Sequence, residues 1–277
     1  MLLHIQDALQ QGQKNTLLRT VDTDVLVLAV EFLQQVTEGE HPDLWVAFGT
    51  GNHFRYIAVH EIATKLGPEV SKAWPVFHAF TGCDTVSCFG GRGKKTALEA
   101  WKSYPDVTDV FLALAYKPLE VSNRCVEHLD HFVVLMYDRT SGKTLVNDAR
   151  KQLFAQKRRT LDAIPPTRAA PVGYAKRATY KAGQCWGQAL VPSPVLPSPQ
   201  EWGWTMNDGI LKPFRTTLPD VTKSCQELVR CGCKKGCQGR CSCTKADLCC
   251  TALYICTDDC DNTWLLLKLL RVPFLLT

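Results

Sequence analysis

Apolar residues recur with two different periods along the first half of the chain, and these periods predict alternating helices and strands. Residues 2–9 have the spacing of a helix, and residues 25–36 carry an apolar stripe with the same spacing. Residues 16–21 and 44–48 are short apolar runs typical of buried strands. Strands that alternate with helices predict an α/β fold with a mainly parallel sheet, whose ligand sites lie beyond the carboxyl ends of the strands.

The pattern becomes helical after the second predicted strand. Residues 54–67, FRYIAVHEIATKLG, predict a strand that runs into a short helix, and residues 68–80 predict a further helix. Helical spacing continues to about residue 182, and four prolines then predict an extended linker of the polyproline type. The predicted regions are a core with a helical extension at 1–190, a proline-rich linker at 191–224, a cysteine-rich module at 225–262 and an apolar tail at 263–277.

Charged residues are distributed unevenly along the chain, which the formal net charge of +5 does not show. Residues 1–84 carry 5 Lys+Arg against 10 Asp+Glu, whereas residues 85–190 carry 17 against 9. An acidic first part and a basic middle fit a metal site beside a polyanion-binding surface, although solvated helix faces explain the charges equally well.

A dense cluster of cysteines lies near the carboxyl end. Nine of the fourteen cysteines fall within thirty residues, which argues against a disulfide framework spread over a secreted domain. Thiolates hold zinc tetrahedrally, and Cys-X-Cys spacing favours a cluster with bridging sulfurs. The predicted Zn²⁺ ligands are Cys231, Cys233, Cys237, Cys241, Cys243, Cys249, Cys250, Cys256 and Cys260.

The beginning and the end of the chain bear on its location. The first residues lack the basic and apolar regions of a secretory signal, so we expect a nuclear or cytoplasmic protein that is not secreted. The apolar tail is only about half a membrane span long and is interrupted by Lys268, Arg271 and Pro273. We therefore expect no membrane-spanning segment.

The cysteine cluster resembles the CXC domain of the tesmin and TSO family over about thirty residues. Eight cysteines and Asn262 match the family pattern, whereas Tyr254 stands at the position of a family cysteine and Cys249 is additional. The resemblance implies a module that binds several zinc ions and contacts DNA. The phosphate contacts that it implies are Lys234, Lys235, Arg240 and Lys245.

Two aspartates follow the first predicted strand. Asp22 and Asp24 stand where this strand becomes a helix, so both can direct oxygens at one divalent cation, for which hard Mg²⁺ or Mn²⁺ is suited. A solvated turn is the alternative interpretation of such a pair. A third aspartate, Asp84, lies in the segment FTGCD.

A glycine-containing turn follows Asp84 by seven residues. Gly91 and Gly93 predict a turn that opens a helix, where unpaired backbone N–H groups admit a phosphate. Lys94 and Lys95 add positive charge at the same place, and we expect these four residues to contact DNA.

These segments, from about residue 17 to residue 98, resemble in order and spacing the flap-endonuclease-like family of structure-specific nucleases, within the PIN-like fold. The resemblance implies a three-layer core with a helix-hairpin extension. It also implies that Asp22, Asp24 and Asp84 are carboxylate ligands of a two-metal site for phosphodiester hydrolysis. In that family the turn that matches Gly91 and Gly93 grips the duplex backbone.

The chain departs from this family at two points. Arg92 stands where the family turn carries an apolar residue that packs inward. Two further strands and more acidic ligands precede the family helix with which this chain begins, so we expect a truncated and inactive nuclease core. Stretches such as VNDARKQLF also resemble transposon-derived open reading frames that join such a core to a CXC module.

The predicted function is that of a mobile-element-derived, zinc-containing DNA-binding protein with a partial nuclease domain. One alternative is an active Mg²⁺-dependent endonuclease whose site is completed by dimerisation or by a carboxylate such as Asp7, Glu31 or Glu61. Another alternative is an interaction scaffold in which zinc only folds the module. His78, which lies in an apolar helix, is expected to be a structural histidine.

Overall fold

A computed structural model describes residues 1–36, 42–116, 121–155 and 163–214, and the chain divides into two units between Phe214 and Arg215. The predicted zinc ligands and the basic residues among them lie outside the described residues. The helices are α1 (Leu2–Gln10), α2 (Thr23–Val36), α3 (Val59–Phe80), α4 (Lys94–Ser103), α5 (Val107–Ala115), α6 (Asn123–Tyr137), α7 (Val146–Ala155) and α8 (Ala169–Ala178). The strands are β1 (Asn15–Thr20), β2 (Asp43–Phe48), β3 (Arg55–Ala58), β4 (Trp204–Asn207) and β5 (Ile210–Pro213).

The mixed α/β character that the periodicity predicts is confirmed, but the direction of one strand differs from the prediction. Strand β1 pairs with β2 in parallel, whereas β3 pairs with β2 in the antiparallel direction. The connection of residues 49–54 is too short for the crossover that a parallel strand needs, so β3 can only return alongside β2. The sheet is therefore mixed rather than mainly parallel.

The two helices predicted at residues 54–80 form one element with a break. Gly67 has φ 74° and ψ 171°, a conformation that favours glycine, and Pro68 follows it directly. Before the break, α3 packs with α1 and α2 on one face of the sheet, where Leu18, Leu44 and Val46 are buried. Because Leu17, Trp45 and Tyr56 on the opposite sheet face are exposed, the described part has one helical layer on this sheet, and the predicted three-layer arrangement is not present there.

After the break, α3 enters a second, aromatic core. Phe77 lies 4.6 Å from Trp101, 5.9 Å from Phe111 and 6.5 Å from Phe132, measured between ring centroids, and all four rings are buried among α3 to α6. Helices α4 to α8 thus form the helical extension that the sequence predicts. No helix in the described ranges is long and apolar enough to cross a membrane.

Part of the proline-rich segment is packed rather than extended. Trp202, only 2% exposed, lies 6.1 Å from the Tyr180 ring, and the guanidinium of Arg177 donates to the carbonyl oxygen of Gly203 at 3.1 Å. Strands β4 and β5 follow as a hairpin. The boundary between the two units consequently lies after residue 214, not at residue 190 as the proline pattern predicts.

Replacing Trp202 by alanine should lower the free energy of unfolding of residues 1–214 by about 3–5 kcal/mol, because a buried aromatic side chain is lost and a cavity remains. Phe214→Ala, at an exposed position of the same segment, is the matched control and should change the stability by less than about 0.5 kcal/mol. Urea denaturation followed by circular dichroism measures both. Equal stability of the two variants would show that the segment is a linker after all.

Candidate functional site

The site begins at the carboxyl end of β1, where the chain turns directly into α2. The backbone N–H of Asp22 donates to the Thr20 hydroxyl at 3.0 Å, and the backbone N–H of Asp24 donates to Oδ1 of Asp22 at 2.8 Å. Asp22 therefore satisfies a free N–H group in the first turn of α2, and its carboxylate is stabilised by the positive end of that helix. The predicted position of the pair, between strand and helix, is confirmed.

A histidine from α3 holds the second aspartate. Nε2 of His78 donates to Oδ1 of Asp24 at 2.9 Å, across a sequence separation of 54 residues. Burial, together with the nearby charge of Lys94, lowers the pKa of His78, although the hydrogen bond to Asp24 opposes this change. His78 donates to Oδ1 of Asp24 and leaves Oδ2 of this carboxylate without a hydrogen bond from the imidazole.

Lys94, the first residue of α4, lies beside this pair. Its ammonium donates to the Thr81 hydroxyl at 2.8 Å and to the His78 carbonyl oxygen. Burial lowers the pKa of Lys94 from 10.5 to about 8, so the folded protein holds this charge at a cost in stability. A lysine so placed in a cavity is a typical candidate for a binding or catalytic group.

A close backbone approach places the third aspartate at the same cavity. Gly82 has φ 106°, and a Cβ atom there would lie 2.5 Å from Cβ of Cys88. Only glycine fits this position, where the chain folds back on itself just before Asp84. Asp84 itself is exposed at the rim.

These residues surround a cavity of about 490 Å³, which we call the acidic cavity. Its lining residues are Val21, Asp22, Thr23, Asp24, His78, Gly82, Cys83, Asp84 and Lys94. The structure thus brings together the three predicted aspartates and one of the two predicted lysines. Among the described residues, however, no three His, Cys, Asp or Glu side chains converge closely enough to hold a metal ion.

The two neighbouring lysines of the predicted DNA-binding turn face different surroundings. Gly93 precedes α4 as its cap, and Gly91 has φ 65°, as the predicted turn requires. Lys94 points into the acidic cavity, whereas Lys95 is exposed. The position of Lys95 fits an external phosphate contact, and that of Lys94 fits a ligand inside the cavity.

Arg92 stands where an apolar residue is expected, and its guanidinium group packs on the aromatic ring of Tyr137. Its guanidinium carbon lies 4.6 Å from the centre of the Tyr137 ring, and Nη2 donates to the Tyr137 carbonyl oxygen at 3.5 Å. The Tyr137 hydroxyl in turn donates to the carbonyl oxygen of Gly90 at 3.1 Å. The turn is therefore held in place although the inward apolar residue is missing.

The three carboxylates considered for completing a nuclease site lie elsewhere. Asp7 accepts a hydrogen bond from the Gln11 side chain on α1, and Glu61 pairs with Lys65 at 3.7 Å. Glu31 lies beside Leu2 and Trp186, where burial raises its pKa to about 7. None of these three residues lines the acidic cavity.

Sequence reasoning missed the role of His78. An isolated histidine in an apolar helix gives no signal of a partner 54 residues away, and its only local indication is that the segment TGCD begins three residues later.

Comparisons with models of protein families, with curated proteins and with solved structures gave no match for this chain.

The shifted pKa of Lys94 makes stability depend on pH in a defined window. Between pH about 8 and about 10.5 the unfolded chain binds a proton at Lys94 that the folded protein has released, so stability should rise with pH across this window. Lys94→Met removes this contribution, which amounts to at most about 3 kcal/mol.

Urea denaturation between pH about 8 and about 10 measures the effect as a difference between variants. The matched control is Lys65→Met, since the Lys65 side chain is 78% exposed, and this variant should keep the pH dependence of the parent. An unchanged pH dependence in Lys94→Met would contradict the buried position of this ammonium group.

Proposed function

We propose that this chain is a mobile-element-derived, zinc-containing DNA-binding protein whose first unit keeps a partial, inactive nuclease site. The observation that carries the proposal is the lining of the acidic cavity, where Asp22, Asp24 and Asp84 share one space with the ammonium group of Lys94. Carboxylates together with a cation suit a ligand of mixed character, namely a phosphate group accompanied by a divalent metal ion.

The positions of the cations support binding to a nucleic-acid backbone. Lys94 holds its charge inside the cavity although burial disfavours it, which is the expected compromise where an anion must be bound. Lys95, one residue further along α4, exposes its charge beside the turn of Gly91 and Gly93. A phosphate in the cavity and a neighbouring phosphate outside it fit one polynucleotide strand.

The same geometry favours binding over cleavage. Oδ1 of Asp22 already accepts the N–H of Asp24, and Oδ1 of Asp24 accepts the Nε2–H of His78. A two-metal mechanism needs a carboxylate set that holds both ions about 4 Å apart. Because no three such side chains converge on one point among the described residues, a Mg²⁺ or Mn²⁺ ion in the cavity would need oxygens of the phosphate itself to complete its ligands, and it would position the phosphate without activating water as well.

The zinc part of the proposal rests on donor chemistry in the sequence. Nine thiolate donors within thirty residues suit Zn²⁺ better than any hard cation. Lys234, Lys235 and Arg240 stand between these donors, so a folded module would present positive charge to DNA. The rival interpretation as a zinc-stabilised interaction scaffold lacks a comparable role for the acidic cavity.

The full chain should bind duplex DNA of unrelated sequences with similar affinity, and the affinity should fall steeply with salt. Lys95→Ala should weaken binding by about fivefold at low salt and lower the salt slope by about 1, because one phosphate contact is lost. Fluorescence anisotropy of a labelled duplex, measured at several salt concentrations, checks both effects.

Lys65→Ala is the matched control for this experiment, because Lys65 is exposed on α3 and paired with Glu61. A Lys95 variant that binds as tightly as the parent at low salt would remove the turn from the DNA interface. With Mg²⁺ or Mn²⁺ added, we expect no cleavage of the duplex above background. Cleavage that disappears in Asp24→Asn would support the active-endonuclease alternative instead.

The purified chain should contain about two to three zinc ions. A thiolate that bridges two ions is a ligand of both, so the nine thiolates can hold more ions than if each ion needed four thiolates of its own. Replacing Cys241 and Cys243 together by serine should lower the zinc content while Trp202 and the core of residues 1–214 stay folded. Elemental analysis and circular dichroism measure the two quantities. Less than about one zinc per chain, or unfolding of both units on chelation, would contradict the assignment.

A further inference from the structure

Arg177, near the end of α8, is a buried cation that has no anionic partner. The residue is only 3% exposed, and no carboxylate of the described residues forms an ion pair with it. Burial lowers the pKa of Arg177, and the neighbouring group that opposes this change is the Tyr174 hydroxyl rather than an aspartate or glutamate. A buried charge without a counter-charge is unfavourable, so its presence calls for an explanation.

The fold makes room for the guanidinium group of Arg177. A Cβ atom at Gly173 would lie 3.2 Å from Nη1, and a Cβ atom at Gly203 would lie 3.5 Å from the same nitrogen. The guanidinium carbon also lies 5.2 Å from the centre of the Tyr174 ring and 5.8 Å from the centre of the Trp204 ring. Packing against these glycines and rings fixes the direction in which the guanidinium points.

One edge of this guanidinium is left almost without partners. Nη1 donates to the carbonyl oxygen of Gly203 at 3.1 Å. Nη2 reaches only the Ser87 hydroxyl, at 3.5 Å, which is longer than the usual limit of about 3.2 Å for an N–H···O bond. Nε is buried and has no hydrogen-bond partner among the described residues. Because Nε and Nη2 form the edge that binds a carboxylate or phosphate through two parallel hydrogen bonds, a strong anion-binding edge is free beside Ser87.

Ser87 lies in the segment of residues 81–93, which joins α3 to α4. It is partly exposed, and its neighbours Thr85 and Cys88 are exposed. A hydroxyl in an irregular surface segment is open to a modifying enzyme, whereas the guanidinium group behind it is enclosed. The segment therefore offers an accessible hydroxyl directly in front of a buried cation.

We propose that Ser87 is a phosphorylation site and that Arg177 binds the phosphate group attached there. The donor is a nucleoside triphosphate held by a protein kinase. Oγ of Ser87 loses its proton and bonds to the γ-phosphorus, while the bond from this phosphorus to the bridging oxygen breaks and the nucleoside diphosphate leaves. The attached group carries a charge of about −1.5 to −2 at pH 7 and three acceptor oxygens, which suit the free edge of Arg177. This proposal does not rest on the proposed DNA-binding function.

A free phosphate ion is the other source of the same chemistry, and the geometry favours the attached group. A free ion loses its translational and rotational freedom when it binds, and a single guanidinium offsets little of that loss. A phosphate on Oγ of Ser87 is already within reach of Nη2, since the two atoms are 3.5 Å apart. Its binding is intramolecular and has no such cost.

The site is adjacent to the acidic cavity. Cys88 follows Ser87, and its Cβ atom lies 2.5 Å from the position that a Cβ would take at Gly82, a lining residue of the cavity. A Ser87 phosphate bound to α8 would therefore hold in place the segment that carries Asp84 at the cavity rim. Phosphorylation would also add negative charge beside the cavity.

The test uses the full chain with phosphoserine incorporated at position 87, and phosphorus NMR follows the ionisation of the phosphate group with pH. In the chain unfolded in urea, the second pKa of the phosphoserine should be about 6. In the folded chain it should be about one pH unit lower, because the guanidinium favours the doubly charged form. The matched control carries phosphoserine in place of Thr85, which is exposed in the same segment, and should titrate alike in both states.

Arg177→Gln removes the cation and should return the second pKa at position 87 to its value in the unfolded chain. If this variant does not fold, the comparison of positions 87 and 85 decides the question by itself. Equal pKa values in the folded and unfolded chain at position 87 would overturn the proposal, and so would an equal decrease at position 85.

Two further measurements concern the source of the phosphate. Mass spectrometry of the chain isolated from its own cells should find phosphate on Ser87, and a Ser87 without phosphate would contradict the modification. Inorganic phosphate should stabilise the unmodified chain against urea no more than chloride does at the same ionic strength. A larger effect of phosphate that is lost in Arg177→Gln would show that the site takes a free ion, and it would overturn the assignment to Ser87.

Discussion

The acidic cavity depends on the burial of the second half of α3. From Val76 to Phe80 every side chain of this helix is buried, and the ring of Phe77 packs against the aromatic core of α4 to α6. A helical turn whose side chains are all buried needs packing partners on every side, and after the break at Gly67 this half of α3 finds them in the second core. The hydrogen bond from His78 to Asp24 then ties the helical core to the end of β1.

Burial of the Lys94 ammonium group lowers the stability of the fold, and its hydrogen bonds to Thr81 and His78 offset part of this cost. Burial disfavours the charge of Lys94, and the approach of Gly82 to Cys88 excludes every residue with a side chain. An apolar residue at position 94 would avoid the first of these costs. A buried ammonium group of this kind, set in a cavity, is a candidate for a ligand-binding group.

The proposed function asks the acidic cavity to bind a phosphate and not to cleave it. Catalysis needs several carboxylates placed within fractions of an ångström, whereas binding needs only rings, cations and one anion site. The proposal of DNA binding therefore does not depend on a complete set of metal ligands.

The sequence by itself determined the features that depend on neighbours in the chain. The strand-to-helix turn at Asp22, the break at Gly67 and the glycine turn before α4 follow from local periodicity and backbone preference, and the structure confirms them. Only the tertiary structure decided that β3 runs antiparallel, that His78 meets Asp24, and that Lys94 points inward while its neighbour stays exposed. The reason is that hydrophobic periodicity identifies which face of an element is buried, whereas packing between distant elements selects the polar side chains that meet there.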